Sequence, residues 1–569
     1  MKNIISSKSL FTLAIFLLLC APISSIAQIS PTIEWQRCIG GYSGEEVHRG
    51  IATRDGGSII VSRSYSYDGD VHNASPNPYN GWVVKLNESG QIEWTRSFDG
   101  DNISSFTSVI ETSDGNYIVA GGTRSLYVGG VRTHGKSDAL VVKLNKNGEV
   151  IWQKAYGGTE ADYLYSIAEN TFEGGGYILA GHTSSNDGDV NGLHGVAGTD
   201  SSDAWIVKIN SEGVIEWQEC LGGSKIETAT FILQTKEGGY AFTGLTSSND
   251  GDIVGHMIDY ETGWLVKLSQ SGSIVWQKIF NTYFFQSDGS TQSVAKTIDG
   301  GLTVIGTSSN LDSTVQGFHK SKDLFGTTDI YVGHLNSSGT VLWERCYGGI
   351  SDDIGSSICT TSDGGYLFIG TVQSNDGDVS GNHQSSDPFA FKGQDAWVVK
   401  LTSEGNVEWQ HCYGGGANET GNSIIQSIDG KILFVGSATS IDGDVYGLHS
   451  IGGNLKNETD IWVVKLGTTA DVPVSSNFDF TGLIRDKFLK IYPNPSSSSV
   501  HLEMLPWFTA KGVEIYNLLG IKISCETTLV ENGANVNVRS LPNGTYIARV
   551  SYTTEKVNGT FTLPLIVYH

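Results

Sequence analysis

The chain has 569 residues, of which 39% are apolar and 10% aromatic. It can therefore bury a large core in more than one domain, and it lacks the composition of a disordered protein. Its formal charge of -24 comes from 36 basic and 60 acidic residues. This charge argues against nucleic acid and against an anionic membrane surface as partners.

The first 27 residues have the pattern of a secretory signal peptide. Lys2 and Lys8 precede the apolar run LFTLAIFLLLC, and the small-residue stretch SIA precedes Gln28. We therefore predict cleavage after Ala27 and export through the inner membrane. Cys20 follows a leucine, where a lipoprotein signal needs a small residue, so lipidation is disfavoured. No later stretch approaches the ~18 apolar residues of a membrane-spanning helix, and none is predicted.

One unit is repeated seven times between residues 28 and 466. Each unit has two apolar runs that flank an Asp-Gly-Gly turn, followed by a strand resembling WVVKL and a strand resembling IEW that flank a Ser-Gly turn. The pattern predicts four short strands per unit. The WVVKL strand is apolar at nearly every position, as expected when both faces of a sheet are covered. The IEW strand carries a tryptophan in every unit, at Trp35, Trp94, Trp152, Trp217, Trp276, Trp343 and Trp409.

The two ends of the repeat region complement each other. The first IEW strand has no WVVKL strand before it, and the last WVVKL-like strand, at 461–466, has no IEW strand after it. Pairing these two strands would complete a seventh blade and remove an open sheet edge. The sequence therefore predicts an all-β protein with a seven-bladed β-propeller at 28–466, in which the N- and C-terminal strands close one blade. An open solenoid is the alternative.

A second domain follows a predicted linker at 467–485. Short alternating strands with Pro and Gly punctuation predict a small β-sandwich at 486–569. Three motifs occur there in order, and they are carried by Tyr492, Pro493, Asn494, Pro495, Gly520, Leu541, Gly544 and Tyr546.

These motifs resemble the C-terminal sorting domain of type IX secretion system substrates. The resemblance implies contact with the type IX secretion machinery, passage across the outer membrane, removal of the domain, and release or attachment at the cell surface. The repeats are also similar to those of uncharacterised exported proteins of Bacteroidetes.

An Asp-Gly-Asp loop follows the second strand in five of the seven units. Two aspartates and backbone carbonyls around a glycine suit Ca²⁺, so calcium is one interpretation. The other is structural: aspartate caps the turn, glycine takes the left-handed conformation, and a following histidine donates to a carbonyl or carboxylate. We favour the structural interpretation because the device recurs in most units. The aspartates are Asp68, Asp70, Asp187, Asp189, Asp250, Asp252, Asp376, Asp378, Asp442 and Asp444.

Two further sets accompany these loops. A histidine follows in every unit: His72, His134, His194, His256, His319, His383 and His449. An aspartate precedes the third strand in five units: Asp138, Asp203, Asp329, Asp395 and Asp460.

Repeated cysteines and tryptophans are predicted to be packing residues. Four cysteines occupy one position of the repeat, and equivalent positions in stacked repeats lie too far apart for disulfides, so each is expected to be a small buried residue. These are Cys38, Cys220, Cys346 and Cys412. The tryptophans recur at fixed strand positions, which favours a core role over sugar stacking.

Positions where the repeat is broken are the candidate ligand contacts. The linker after Trp276 carries Tyr283, Phe284 and Phe285 in place of glycines, and an insertion in the sixth unit carries Phe389 and Phe391. Exposed aromatics on variable loops contact sugar rings or protein partners. The alternative, to which we give equal weight, is that these aromatics pack beneath the loop.

No catalytic motif of the GxSxG, HExxH, P-loop or CxxC type occurs in the sequence. The chain is therefore predicted to be a non-enzymatic, secreted or surface-attached scaffold that binds a glycan or a protein, with no certain cofactor. The alternative is a polysaccharide hydrolase or lyase with acids near the central channel, because a carboxylate pair is defined by its separation in space. A binding protein should expose aromatics on one rim, whereas an enzyme should bring unrepeated acids and a base together in the channel mouth.

Overall fold

The structure is a computed structural model that describes residues 30–569 with gaps. The residues outside the description are 72–78, 99, 101, 103, 173, 256–260, 284–292, 310–314, 320–326, 384–392, 428, 450–458, 468–488, 493–497, 505–508, 518–521, 531–532, 543, 554–557 and 568–569. The predicted signal peptide lies outside it. The chain divides into two compact units, Met1–Ala470 and Asp471–His569. Every regular element of the described part is a β-strand, which confirms the all-β class.

Four-stranded antiparallel sheets make up the first unit, together with one two-stranded ribbon. Strand β1 is Ile33–Ile39. Sheet one contains β2 (Glu45–Ala52), β3 (Ser58–Ser64), β4 (Asn80–Leu86) and β5 (Ile92–Phe98). Sheet two contains β6 (Ser104–Glu111), β7 (Tyr117–Thr123), β10 (Asp138–Leu144) and β11 (Val150–Tyr156), and the ribbon contains β8 (Tyr127–Val128) and β9 (Val131–Arg132). Sheet three contains β12 (Asp162–Glu169), β13 (Tyr177–Thr183), β14 (Asp203–Ile209) and β15 (Ile215–Leu221).

The remaining sheets of this unit repeat the same order. Sheet four contains β16 (Glu227–Gln234), β17 (Tyr240–Thr246), β18 (Thr262–Leu268) and β19 (Ile274–Tyr283). Sheet five contains β20 (Ser293–Lys296), β21 (Leu302–Ser308), β22 (Asp329–Leu335) and β23 (Val341–Tyr347). Sheet six contains β24 (Asp353–Thr360), β25 (Tyr366–Val372), β26 (Asp395–Leu401) and β27 (Val407–Tyr413). Sheet seven contains β28 (Glu419–Gln426), β29 (Ile432–Ala438), β30 (Asp460–Leu466) and the N-terminal strand β1.

The first strands of the seven sheets contact one another in succession. Strand β2 contacts β6, each following first strand contacts the next, and β28 contacts β2 again. Strand β1 pairs antiparallel with β30, with Gln36 opposite Val464 and Cys38 opposite Trp462. The N- and C-terminal strands of the repeat region therefore pair in the way that the sequence predicts.

The third strand of each sheet is the centre of the core. All seven residues of β4, β10, β14, β22, β26 and β30 are buried, because neighbouring sheets cover both faces. Apolar side chains of adjacent sheets form shared clusters, one of which joins sheet seven to sheet one through Val463 and Val84. The tryptophans of the third strands are fully buried, as predicted: Trp82, Trp205, Trp264, Trp397 and Trp462.

The tryptophans of the fourth strands have a different role from the predicted one. Except for Trp409, they are only half-buried, and they contact the glycine turn between the third and fourth strands of the following sheet. The Trp35 Nε1–H donates to the Glu88 carbonyl at 3.1 Å, and a Cβ on Gly90 would lie 2.8 Å from the Trp35 ring. Trp94 contacts Lys146 and Gly148 in the same way. These glycines leave room for an indole at the seam between two sheets.

The cysteine prediction is confirmed for the described residues. Cys38, Cys220, Cys346 and Cys412 are buried and free. Burial raises the pKa of each of these thiols. The thiols are therefore protonated at neutral pH and act as small packing groups.

The second unit contains two four-stranded antiparallel sheets. The first has the order β31 (Leu489–Tyr492), β32 (Ser499–Met504), β36 (Gly533–Asn537) and β35 (Thr527–Val530). The second has the order β34 (Lys522–Ile523), β33 (Thr509–Asn517), β37 (Gly544–Thr553) and β38 (Asn558–Val567). Val500 and Val536 of one sheet share a buried cluster with Ile515 and Val550 of the other, as expected for a small sandwich.

The predicted sorting-motif residues lie partly within this description. Leu541 is buried, and the Tyr546 hydroxyl donates to the Pro542 carbonyl at 2.9 Å. Tyr492 lies in β31 and Gly544 in β37, and only the backbone of these two residues is described. Pro493, Asn494, Pro495 and Gly520 lie outside the described residues.

Candidate functional site

The Asp-Gly-Asp loops bind the linker that enters their own sheet. In sheet three, Asp187 Oδ1 accepts from the Thr159 backbone N–H at 2.7 Å, and Oδ2 accepts from the Thr159 hydroxyl at 2.9 Å. The Asp189 N–H donates to the Gly157 carbonyl at 3.0 Å. Gly188 has φ 65°, and a Cβ there would lie 2.4 Å from the Gly157 oxygen. The loop therefore needs glycine for its conformation and for this close approach.

The same contact recurs in the other loops of this kind. The first aspartate accepts a backbone N–H of the linker at 2.7 to 2.8 Å in each. These aspartates are Asp68, Asp250, Asp376 and Asp442. The second aspartates donate their own N–H to the linker glycine carbonyl at 2.8 Å, and they are Asp70, Asp252, Asp378 and Asp444.

Histidines of this face extend the contact to the next sheet. Buried Asp203 Oδ2 accepts from the His194 backbone N–H at 3.1 Å and lies 2.6 Å from His194 Nδ1. His194 Nε2 lies 3.5 Å from Asp252 Oδ2 of sheet four. The histidine and aspartate pair in the same way in four other sheets, as His134 with Asp138, His319 with Asp329, His383 with Asp395, and His449 with Asp460. His72 and His256 lie outside the described residues.

This donor arrangement does not fit a calcium ion. The oxygens of Asp187 that a cation would use already face an N–H and a hydroxyl of the linker. Within the described part of the chain, no three His, Cys, Asp or Glu side chains converge as a metal would require. The geometry agrees with the structural interpretation, and calcium occupancy stays an untested prediction.

The described first strands bring unrepeated residues together. Six of these strands carry a β-bulge after their third residue. The bulged residue is small and polar in four strands, as Thr107, Thr230, Ser356 and Asn422, but it is His48 in β2 and Tyr165 in β12. The second residue of each of these two strands is also unusual, with Glu46 opposite Arg63 and Tyr163 opposite His182.

These side chains form one cluster across sheets one, two and three. His48 Nε2 lies 3.0 Å from the Ser105 hydroxyl of sheet two. The Tyr163 and Tyr165 rings lie 5.2 Å apart, and the His182 ring lies 5.5 Å from that of Tyr165. We call His48, Ser105, Tyr163, Tyr165 and His182 the neutral cluster.

An ion pair borders the neutral cluster. The Arg63 guanidinium pairs with Glu46, and the Tyr65 hydroxyl donates to Glu46 Oε1 at 2.5 Å. Glu46 therefore has two partners, although its side chain is 45% exposed. Arg63 also acts electrostatically on Tyr163, which connects the pair to the cluster.

Desolvation keeps the cluster uncharged at neutral pH. It lowers the pKa of His48 and of His182 to about 4, so both imidazoles are neutral. It raises the pKa of Tyr163 and of Tyr165, so both phenols are protonated. The cluster therefore offers hydroxyl and imidazole groups that donate and accept hydrogen bonds without carrying charge.

The predicted aromatic contacts are not described by the structure. Phe284, Phe285, Phe389 and Phe391 lie outside the described residues, and only the backbone of Tyr283, the last residue of β19, is described. Other aromatics are exposed in loops of the same kind, and these are Tyr42, Tyr67 and Tyr446, with exposed fractions of 51%, 64% and 65%.

Sequence reasoning missed the neutral cluster because it followed the loops. One signal in the sequence was Gly122 of β7, which pairs with Ser105 of β6. A Cβ on Gly122 would lie 2.2 Å from the Tyr163 ring, so this glycine makes room for it. The equivalent position is Arg63 in sheet one and His182 in sheet three. Variation at an otherwise regular strand position could have identified the cluster.

The tail matches a known family. Residues 490–562 match the family described as the secretion system C-terminal sorting domain. This type IX secretion tail indicates a secreted protein at the outer cell surface or in the extracellular space, and it implies contact with the secretion machinery. No curated protein matches the chain.

Solved structures of propeller-like proteins resemble the chain at low identity. A protein of unknown function from Dyadobacter fermentans is 10% identical with a TM-score of 0.38, over 76% of this chain and 98% of that one. A variant of the apocarotenoid oxygenase from Synechocystis is 11% identical with a TM-score of 0.33, over 72% of this chain and 88% of that one. The rhamnogalacturonan lyase YesW is 11% identical with a TM-score of 0.28, over 94% and 91%. These scores are too low to carry an argument about function.

The sequence predicts no membrane-spanning helix after the signal peptide. Within the part of the chain that the structure describes, no helix has the length and apolar character needed to cross a bilayer.

Proposed function

We propose that residues 28–466 form a closed seven-bladed β-propeller that binds a glycan at one end of its central channel. Two observations support closure: the pairing of β1 with β30, and the contact of β28 with β2. In a ring of this kind the first strands surround the channel. Their N-terminal ends, which carry Glu46 and Tyr163, then open to the face of the Asp-Gly-Asp loops.

The neutral cluster is the observation that carries the glycan assignment. Tyr163, Tyr165 and His182 present aromatic faces beside hydrogen-bonding groups, and they are half-buried rather than packed in the core. Rings of this kind contact the apolar C–H face of a sugar, while hydroxyl and imidazole groups bond its hydroxyls. His182 Nδ1 has no hydrogen-bond partner in the described part of the chain, although it is buried. Such a group gains a bond when a ligand hydroxyl arrives.

The carboxylates favour binding over hydrolysis. A glycosidase of the usual type needs two carboxyl groups on either side of the scissile bond. In most sheets the first strand begins with a buried acid, and some first strands end in a glutamate at the far end. Apart from these acids, Glu46 is the single carboxylate on the described first strands, and Arg63 and Tyr65 bind it. The raised pKa of Tyr163 also opposes its use as a lyase base.

A polysaccharide panel tests this proposal. The full chain is titrated with oligosaccharides from plant, algal and bacterial polymers, alongside Tyr165→Ala and the control Phe172→Ala. Phe172 is an exposed aromatic beyond the far end of β12. We expect the wild type and Phe172→Ala to bind one glycan class equally, and Tyr165→Ala to bind it at least about tenfold more weakly.

Two results would overturn the proposal. Binding to no glycan would remove the function, and equal affinity of the Tyr165→Ala variant would remove the site. Release of shortened or unsaturated sugars by the wild type would instead establish the hydrolase or lyase alternative.

A further inference from the structure

A second arginine of sheet one lies deeper along the first strands than the neutral cluster does. Arg49 directly follows the bulge at His48, and Phe231 occupies the equivalent position of β16 in sheet four. The Arg49 guanidinium lies over the Phe231 ring, with 4.3 Å between Cζ and the ring centroid. Sheets one and four are not neighbours, so this contact crosses the space that the first strands enclose. The pair therefore forms a floor beneath the neutral cluster.

The guanidinium of Arg49 has no counter-ion among the described residues. Among the residues that the structure describes, no carboxylate forms an ion pair with it and no acceptor forms a hydrogen bond with it. Burial lowers its pKa to about 10, so it is still a cation at neutral pH. A desolvated cation without a partner is costly, and a cation–π contact returns only about 0.5 to 2 kcal/mol. An anionic group placed on Arg49 would remove that cost.

Local charge at this position differs from the charge of the whole chain. Glu46 is already neutralised by Arg63, so Arg49 leaves an excess positive charge. Arg124, the residue that directly follows β7, acts electrostatically on Tyr163 and adds to that excess. The chain as a whole carries -24. A positive floor in an acidic protein selects an anionic ligand group over an uncharged one.

We infer that Arg49 binds the oxyanion of an acidic sugar whose ring lies against Tyr163 and Tyr165. The inference rests on the proposed glycan function and specifies its ligand class. A guanidinium donates two parallel hydrogen bonds to a planar carboxylate, and it also binds a sulfate ester. The ligand is accordingly a glycan that carries uronic acid or sulfated sugar units.

Matched oligosaccharides test this inference. The full chain is titrated with an oligogalacturonate, with the same oligomer after its carboxyl groups have been reduced to alcohols, and with a sulfated galactan oligomer. We expect at least about a tenfold preference for one of the charged oligomers over the reduced one. The preferred charged oligomer identifies the oxyanion as a carboxylate or a sulfate.

Two arginine variants locate the effect. In Arg49→Gln, the preference should vanish while the affinity for the reduced oligomer persists. In Arg54→Gln, it should be unchanged, because Arg54 pairs with Glu111 beyond the far end of β2. If Arg49→Gln fails to fold, the salt dependence of the wild type decides: a preference that shrinks with added NaCl supports the inference, and one that is constant overturns it.

The outcomes separate the inference from the proposed function. Equal binding of charged and reduced oligomers by the wild type would overturn the role of Arg49 and leave glycan binding intact. An unchanged preference in a folded Arg49→Gln variant would do the same. Binding of no oligosaccharide on the wider panel would overturn both.

Discussion

The seams between sheets and the neutral cluster are built by opposite rules. At the seams, aspartate, glycine and histidine recur in most sheets and bond with their neighbours, as Asp187 does with Thr159. In the cluster, His48 and Tyr165 replace small polar residues at one position of the repeat, and His182 Nδ1 has no hydrogen-bond partner among the residues that the structure describes. The same bonds repeated in most sheets indicate a structural role, whereas residues that depart from the repeat at one position indicate a ligand site.

The largest expected effect comes from the glycine of a seam loop. Gly188→Ala places a Cβ against the Gly157 oxygen at φ 65° and should lower the free energy of unfolding by about 3 kcal/mol. Gly192→Ala is the control, because Gly192 has φ 99° but open space around it, and about 1 kcal/mol is expected. Denaturant unfolding measures both. Equal losses would contradict the close approach of the loop to its linker.

A pH effect on stability should follow from the buried acids of the seams. Burial raises the pKa of Glu45 to about 7, opposed by hydrogen bonds from Ser64, Ser66 and the Gly41 N–H and reinforced by the charge of Asp460 in sheet seven. The folded chain thus holds a proton that the unfolded chain has released above pH ~4.5, so stability falls as the pH rises through 7. At about 1.4 kcal/mol per pKa unit, Glu45 contributes a loss of about 2 kcal/mol between pH 5.5 and 8.

Asp329 and Asp353 should act in the same direction. Burial raises the pKa of Asp329 to about 7, opposed by His319 and reinforced by Asp353. It raises the pKa of Asp353 to about 6, opposed by hydrogen bonds from Ser374, Gly349 and Gln373. His48 and His182 act in the opposite direction, because folding lowers the pKa of each to about 4 and stability then rises with pH up to about 6.5. Thermal unfolding at several pH values therefore compares the wild type with Glu45→Gln, in which the loss of stability between pH 5.5 and 8 should be smaller. An equal pH dependence of the two proteins would contradict this assignment.

A smaller loss is expected from the aspartate that caps the linker. Asp187→Ala leaves the Thr159 N–H and hydroxyl without an acceptor and should cost about 1 to 2 kcal/mol. Asp200→Ala, at an exposed position of the same sheet, should cost less than about 0.5 kcal/mol. A chelator should leave the melting temperature of the wild type unchanged. A clear decrease on chelation would support calcium in these loops instead.

The smallest effect on stability is expected in the neutral cluster. Tyr163→Phe removes one hydroxyl from a half-buried ring and should change the free energy of unfolding by less than about 0.5 kcal/mol. The same change should weaken glycan binding, because the phenol no longer bonds a sugar hydroxyl. Unfolding and glycan titration on one sample separate the two effects. A large loss of stability would assign Tyr163 to the core.

The repeat made the strand pattern predictable, whereas the contacts between sheets made the cluster hard to predict. Apolar third strands such as β26 and the glycine turns between them are local signals, so strand order and the pairing of the terminal strands followed from the sequence. Contacts between His48 and Ser105, or between Arg49 and Phe231, join strands that are distant in the chain. Their proximity depends on how the sheets are arranged around one another, which no local pattern contains.

Tryptophan shows the same limit on a smaller scale. A fixed strand register predicted a core role for every repeat tryptophan, and this is correct for Trp82. Trp35 has a similar register but lies on the outermost strand, where its ring meets the Ser-Gly turn of the next sheet. Sequence period determines which face a side chain takes, but the neighbouring sheet determines how deeply it is buried.

One measurement tests the division between seam and cluster most directly. The glycan affinities of Tyr165→Ala and Asp187→Ala are compared with that of the wild type by calorimetry, at a temperature where all three are folded. We expect at least about a tenfold loss for Tyr165→Ala and an unchanged affinity for Asp187→Ala. A loss confined to Asp187→Ala would place the binding site in the repeated loops and contradict the assignment of the neutral cluster as the site.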